Sequence, residues 1–218
     1  MARRIRTGAD FDAESIQSWY GPMAGLEPAQ VAELFAGSGI RWAVAGGRAA
    51  RVGAASQRHH EDTDVEVPSA HLPLLREHLA DWHLWQADDG SLRPLLADDE
   101  LRPEVTQLWL RRDSSQPWVL DLLLVPGDGS TWVYRRDDRV RLPWSRAHQV
   151  VDGVSYVRPE IALLFKAKSD RPKDRADLAA AQLTADGRAW LFERLREQGH
   201  DEWAARVGHE TRWRDLRL

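Results

Sequence analysis

The sequence contains no cysteine. Disulfides, thiol nucleophiles and zinc–thiolate sites are thereby excluded, and a reducing, cytoplasmic location is expected. No apolar run approaches the roughly 18 to 20 residues that cross a bilayer. Residues 1–10 carry three arginines with no apolar segment behind them, so no secretory leader is expected. An excess of one charge is missing too: 30 Lys and Arg face 34 Asp and Glu, for a net charge of −4. Proteins that grip nucleic acid through its phosphates usually show a basic excess or stripe, so a nucleic-acid polymer is disfavoured as substrate. Internal repeats and low-complexity segments are also absent. Tyrosine (3) and phenylalanine (4) are scarce, yet there are 11 tryptophans. Most of those rings belong in the core or half-buried at the surface, and some are available to line a pocket for a planar or sugar-like ligand.

With 218 residues, 43% of them apolar, the chain can bury one large core or two small ones. Pro28 opens a helix expected over 28–35, closed by Gly37 and Gly39. Residues 40–45 (IRWAVA) read as a short buried strand broken by Gly46-Gly47, 48–52 as a helical turn and 53–61 as a polar loop. Residues 63–67 (TDVEV) alternate carboxylate-bearing positions with others, a two-faced strand, and Ser69 is the expected N-cap of a helix to 79. A β signal follows at 82–87, 105–111, 118–125 and the pair 131–135 with 140–142, the Gly-Asp-Gly at 127–129 suiting a connection between antiparallel strands. Helical spacing then takes over at 159–168, 173–183, 187–198 and 202–207, punctuated by Pro172, Gly187 and Gly199. The expected fold is α+β: a mixed sheet flanked by helices over 1–157, with an N-terminal extension, and a small helical C-terminal region over 158–218.

Three features carry chemistry. Gly46-Gly47 ends a predicted strand, where the backbone turns sharply and can approach a phosphate, although such a pair is also an ordinary turn. The run Arg58-His59-His60-Glu61-Asp62-Thr63-Asp64 places Asp62 and Asp64 on one face of a strand, about 7 Å apart along the chain. Two neighbouring carboxylates repel, and a cation relieves them; Mg²⁺, with its oxygen ligands and its habit of bridging to phosphates, is the natural candidate. The plain alternative for Asp-x-Asp is a polar strand edge. His59 and His60 lack metal-ligand spacing. Asp121 is a single acid within the apolar run 118–125, costly to bury ionised; it either joins the other acids, faces solvent or pairs with an arginine.

Together, Gly-Gly after a strand, a spacer, Asp-x-Asp on the next strand and a later strand acid resemble the polymerase-β-like nucleotidyltransferase superfamily. Residues 45–67 (AGGRAARVGAASQRHHEDTDVEV) are similar to its aminoglycoside and lincosamide nucleotidyltransferase branch, with Arg58, His60, Asp62 and Asp64 at matching positions. Residues 156–177 look like the helical segment that closes such domains, and the likeness spans roughly 28–185. Arg48, a slightly short spacer and Thr63 depart from the pattern without removing a metal ligand.

The resemblance implies transfer of a nucleoside monophosphate from a nucleoside triphosphate, ATP included, to a hydroxyl, with pyrophosphate released. Asp62, Asp64 and Asp121 would be the catalytic and metal residues holding one or two Mg²⁺, with Asp121 alternatively the proton acceptor. Gly46, Gly47, Arg58, Lys166 and Lys168 would bind the nucleotide. Lys166 and Lys168 are two apart on a helix, so only one is expected to reach the ligand, and both suit a solvated helix end as well. Arg58 either contacts phosphate or pairs with Asp62 or a nearby acid, while His60 is expected to brace the loop. Asp174 and Asp177 read as a helix N-terminal charge pattern.

The first expectation for the acceptor is a small hydroxyl-bearing molecule, an aminoglycoside or lincosamide antibiotic, inactivated in the manner of resistance enzymes. Acids at 88–89 and 98–100 either line its pocket or lie in surface loops. The alternatives are a protein side-chain hydroxyl as acceptor, and a nucleotide-binding module without turnover. The working unit is expected as a monomer or homodimer, with the tryptophans of 203–213 on a packing helix.

Overall fold

The computed structural model describes residues 20–55, 58–88 and 91–214, the last six in backbone only. Residues 1–19, 56–57, 89–90 and 215–218 therefore lie outside the described residues, and with the first of these the expectation of no secretory leader. The centre of the fold follows from one alternating run and one apolar run. In β2 (Asp64–Pro68) and β6 (Trp118–Val125), Val65, Val67, Leu120, Leu122 and Leu124 point to one side of the sheet. There they bury against Val31 of α1 (Pro28–Leu34), Phe35, Leu75 of α3 (Leu72–His78) and Leu79. The opposite positions, Asp64, Glu66, Asp121 and Leu123, face the other side, as period-two geometry requires.

The main sheet has eight strands in the order β4-β3-β5-β6-β2-β1-β10-β9. Its remaining strands are β1 (Ala43–Val44), β3 (His83–Asp88), β4 (Ser91–Pro94), β5 (Gln107–Arg111), β9 (His148–Val151) and β10 (Val154–Val157). The pairs β2–β6 and β1–β10 are parallel and the others antiparallel, so the sheet is mixed. On the second face lie α5 (Pro159–Ala167), α7 (Ala185–Glu197) and α8 (Asp201–Arg214), joined by a separate ribbon of β7 (Thr131–Val133) and β8 (Arg141–Pro143). Ile161, Leu164, Leu191, Leu195, Trp132 and Trp203 fill this second core. Helix α5 is buried nearly all round, which its apolar sequence permits and its place between sheet and α7 requires. The α+β expectation and the helical character of the chain beyond 158 both hold.

Several local expectations change. Of 40–45 only two residues pair as strand, because Gly46 turns the chain at φ +58 as α2 (Gly46–Ala50) begins. Ser69 caps nothing: a 3₁₀ turn occupies Ser69–His71, and α3 starts at Leu72 because Pro73, lacking an N–H, fits only a first turn. The 127–129 loop does not join paired neighbours; Asp128 gathers the Ser130 and Thr131 amides and sends the chain out to the separate ribbon. The β9–β10 hairpin was not anticipated, although its Asp152-Gly153 turn, both residues at positive φ, is a strong hairpin signal. Nor were β4 and α4 (Trp144–Ala147). Gly187 lies inside α7 rather than before it: Thr184 caps the helix through the Gly187 amide, and a Cβ there would come within 3.0 Å of the Glu160 carboxyl. Among the described residues, no helix is long and apolar enough to cross a membrane.

Candidate active site

Parallel pairing of β2 with β6 sets Asp64 directly opposite Asp121, so both carboxylates stand on the second face of the sheet, next to each other. The ladder is locked by the Asp121 amide donating to Thr63 O (3.0 Å) and the Ala45 amide donating to Asp64 O (2.8 Å). Asp62 lies just ahead of β2 and is exposed. Gly46 packs against the Asp64 carboxylate so closely that an added Cβ would sit 1.7 Å from Oδ2. Hence glycine is needed here for approach as well as for its positive φ.

The electrostatics of the pair are those of acids waiting for a cation. Burial, helped by repulsion from Asp62, raises the Asp64 pKa to about 7 despite the attraction of Lys166, Lys173 and Arg171. Burial and the Asp64 charge push Asp121 well above the usual carboxylate range, against a hydrogen bond from Gln107. Gln107 Nε2 donates to Asp121 Oδ2, while Oδ1 is buried with no hydrogen-bond partner. An orphaned carboxylate oxygen beside a second acid fits a divalent cation. Among the described residues, no three His, Asp or Glu side chains form a ready metal cage. The donors therefore fit an ion that takes part of its oxygen shell from a substrate, as Mg²⁺ commonly does.

Behind this pair lies a buried charge network absent from the sequence reading. Asp174 and Asp177 on α6 (Pro172–Ala180) are fully buried; Asp174 sits in the first turn and accepts from the Arg171 amide, as a helix N-terminal charge does, but both acids also serve buried cations. Lys166 Nζ meets Asp174 at 3.1 Å and Asp177 at 2.9 Å. Arg51 Nε and Arg58 Nε reach Asp177 Oδ1 at 2.7 and 3.1 Å. Arg58 thus pairs with an acid 119 residues away, not with Asp62, and braces the loop ahead of β2. Gly47 lies beneath it: a Cβ would be 2.4 Å from Arg58 Nη2 and 2.5 Å from His60 Cε1. Burial and the positive field of Arg58 and Arg48 lower the His60 pKa to about 4; its Nε2 is buried without a hydrogen-bond partner, so the bracing hydrogen bond expected of it is not made.

A cavity of about 340 Å³ opens on Asp64, lined also by Gly46, Gln107, Lys166, Arg171, Arg135 and Arg136 among others. Of the two expected lysines, Lys166 lines it, whereas Lys168 is exposed at the end of α5 and does not. Glu66, Gln107, Arg135, Arg136 and Arg171 were missed. Only Glu66 carried a local signal, continuing the spacing of Asp62 and Asp64 along β2. Hollows of about 560 Å³ beside Arg76 and Leu95, and 460 Å³ between Glu27 and Tyr156, lack the facing carboxylates. Asp88 pairs with Arg102, and Asp99 accepts from the Leu96 amide, both away from the residues lining this cavity. Trp203 is a packing residue, its Nε1 donating to Asp170.

No protein-family model matches the chain, and no curated protein matches it. Among solved structures, it is similar to the lincosamide antibiotic adenylyltransferase LnuA in its lincomycin-bound form, with TM-score 0.48 and 15% identity over 73% of this chain and 96% of that one. It is also similar to the solution structure of the antibiotic-resistance factor ANT(2'')-Ia, with TM-score 0.46 and 16% identity over 85% of this chain and 100% of that one.

Proposed function

We propose that the chain is a metal-dependent nucleotidyltransferase that moves a nucleoside monophosphate from a nucleoside triphosphate onto the hydroxyl of a small molecule. The observation that carries this reading is the facing pair Asp64 and Asp121, one oxygen unpartnered, with Asp64 at a cavity whose lining also holds Lys166, Arg171, Arg135 and Arg136. It joins the resemblance of residues 45–67 to the aminoglycoside and lincosamide nucleotidyltransferases. That resemblance also names the acceptor class: an aminoglycoside or lincosamide, modified and so inactivated.

Chemically, the acceptor oxygen attacks the α-phosphorus in line, the bond to the bridging α–β oxygen breaks, and pyrophosphate leaves with that electron pair. Asp64 and Asp121, with Asp62 beside them, would hold Mg²⁺, which when bound polarises the attacking oxygen and neutralises the triphosphate. Lys166 and Arg171 add fixed positive charge on the triphosphate side, pre-aligned by Asp174 and Asp177. Gly46 lets the backbone reach the phosphates beside Asp64 without a side chain in the way. Gln107 ties one oxygen of Asp121 and leaves Oδ1 for the cation or for the acceptor's proton.

The test is calorimetric binding of ATP, GTP, CTP and UTP with Mg²⁺, to the wild type and to an Asp62→Ala, Asp64→Ala double variant. Binding that needs Mg²⁺ and is lost in the variant supports the reading. Pyrophosphate release on adding aminoglycosides or lincosamides would then identify the acceptor. Release only with a protein substrate would move the acceptor to a side-chain hydroxyl, and nucleotide binding without any release would make the chain a binding module.

A further inference from the structure

The third acid of the β2 run has a role that neither metal binding nor folding explains. Glu66 is 2% exposed, yet it lines the cavity one same-face step from Asp64, about 7 Å along the strand. One of its oxygens is elaborately held: Oε2 accepts from Trp132 Nε1 at 3.1 Å and meets His148 Nε2 at 3.3 Å. His148 is itself fixed, with Nδ1 donating to Trp144 O at 2.8 Å and its ring stacked on the Trp144 indole at 3.8 Å. The other oxygen, Oε1, receives no hydrogen bond from any described residue and is not sealed from the cavity. A glutamate buried only to tie the β7 ribbon to the sheet would have both oxygens satisfied.

Nδ1 of His148 donates to the Trp144 carbonyl, and both polar neighbours of Glu66, Trp132 Nε1 and His148 Nε2, lie on Oε2. Oε1 is the oxygen left to the cavity as an acceptor. The same cavity carries apolar side chains, Leu123, Val125, Val157, Ala162 and Phe165, beside its charged ones. An oriented acceptor in a partly apolar cavity, next to a triphosphate site, matches a flat heterocycle that carries a donor at its edge.

We propose that Glu66 reads the nucleobase: its Oε1 accepts a hydrogen bond from an exocyclic amino group and so selects amino-bearing bases over their carbonyl counterparts. This rests on the nucleotidyltransferase reading of the same cavity. A site built around a buried acceptor rejects a ligand that brings a second acceptor, because two unpaired lone pairs are then forced together.

The experiment is isothermal titration with Mg²⁺ of two matched pairs, ATP against inosine triphosphate and CTP against UTP, which differ at the edge by amino or carbonyl. The wild type is expected to bind the amino-bearing member of at least one pair about tenfold or more tightly. In Glu66→Gln the new amide can keep its oxygen on Trp132 and turn its NH₂ into the cavity, so the ratio is expected to fall to one or below. Trp132→Phe, which frees Oε2 but keeps the carboxyl, is expected to shrink the ratio only partly. Because the readout is a ratio within one protein sample, partial unfolding of a variant does not imitate it. If the Gln variant does not fold, the wild-type ratio and Trp132→Phe decide. A wild type that binds triphosphates but treats both pairs alike within about twofold overturns the Glu66 role and leaves the nucleotidyltransferase reading standing. An unchanged ratio in Glu66→Gln does the same. Failure to bind any triphosphate overturns both.

Discussion

Replacing Asp177 with alanine should be among the most destabilising single changes in the chain. The side chain is fully buried and receives Arg51 at 2.7 Å, Lys166 at 2.9 Å and Arg58 at 3.1 Å. Burial favours its protonated form, but hydrogen bonds from Arg58, Arg51 and Lys166 outweigh that and hold its pKa at about 2, against an ordinary 3.8. That difference corresponds to about 2 kcal/mol of linkage. The sign follows from the lowered value: the stabilisation is complete above the ordinary pKa and is lost as pH falls from about 4 through about 2. Truncation should cost more than the linkage, about 3 to 5 kcal/mol, because it strands buried cations instead of protonating their partner. Arg51 would keep only part of its shell, including Ala176 O, and Lys166 would keep Asp174 alone as an acid.

For a chain of this size that is a fall in melting temperature of about 10 °C, with a lower urea midpoint and an unchanged slope. Arg58→Ala, removing a partner that is 28% exposed, should cost about 1 kcal/mol. Adding Arg51→Met to Asp177→Ala should be less damaging than the sum of the two, since the two side chains share one ion pair. A loss below about 1 kcal/mol for Asp177→Ala, measured in urea at pH 7, would refute the idea that this network ties α6 to α2 and α5.

Gly46→Ala should abolish the Mg²⁺-dependent thermal shift, since its Cβ falls 1.7 Å from Asp64 Oδ2 and its φ is +58; a normal shift would show that the carboxylate yields freely. Lys168→Ala should leave Mg²⁺-dependent triphosphate binding unchanged while Lys166→Ala weakens it at least tenfold and lowers the melting temperature; equal effects would undo the assignment. The pKa of Asp64, raised by burial to about 7, makes its charge a cost to the metal-free fold, so that contribution to stability is lost as pH rises through about 7. A cation reverses the cost once the proton has gone. The Mg²⁺-induced rise in melting temperature should therefore grow between pH 6 and 8, and a flat profile would contradict it.

The sequence by itself determined the local part of this protein. Period-two alternation at 63–67 and the apolar run at 118–125 marked the two central strands, helical spacing marked α5 to α8, and the alternation put Asp64 and Glu66 on one face of β2. These patterns are legible because each depends only on residues a few positions apart. Tertiary structure decided which acids meet. The β2–β6 register sets Asp64 opposite Asp121, a match across 57 positions that a shift of one residue would send to opposite faces. It also paired Arg58 with Asp177, buried Asp174 and Asp177, turned Lys166 into the cavity and left Lys168 outside. The same holds for Glu66, whose clamp comes from Trp132 and His148, 66 and 82 residues away. Such partners have no periodic trace in the chain, because they are chosen by the packing of α5, α6 and the β7–β8 ribbon against one face of the sheet.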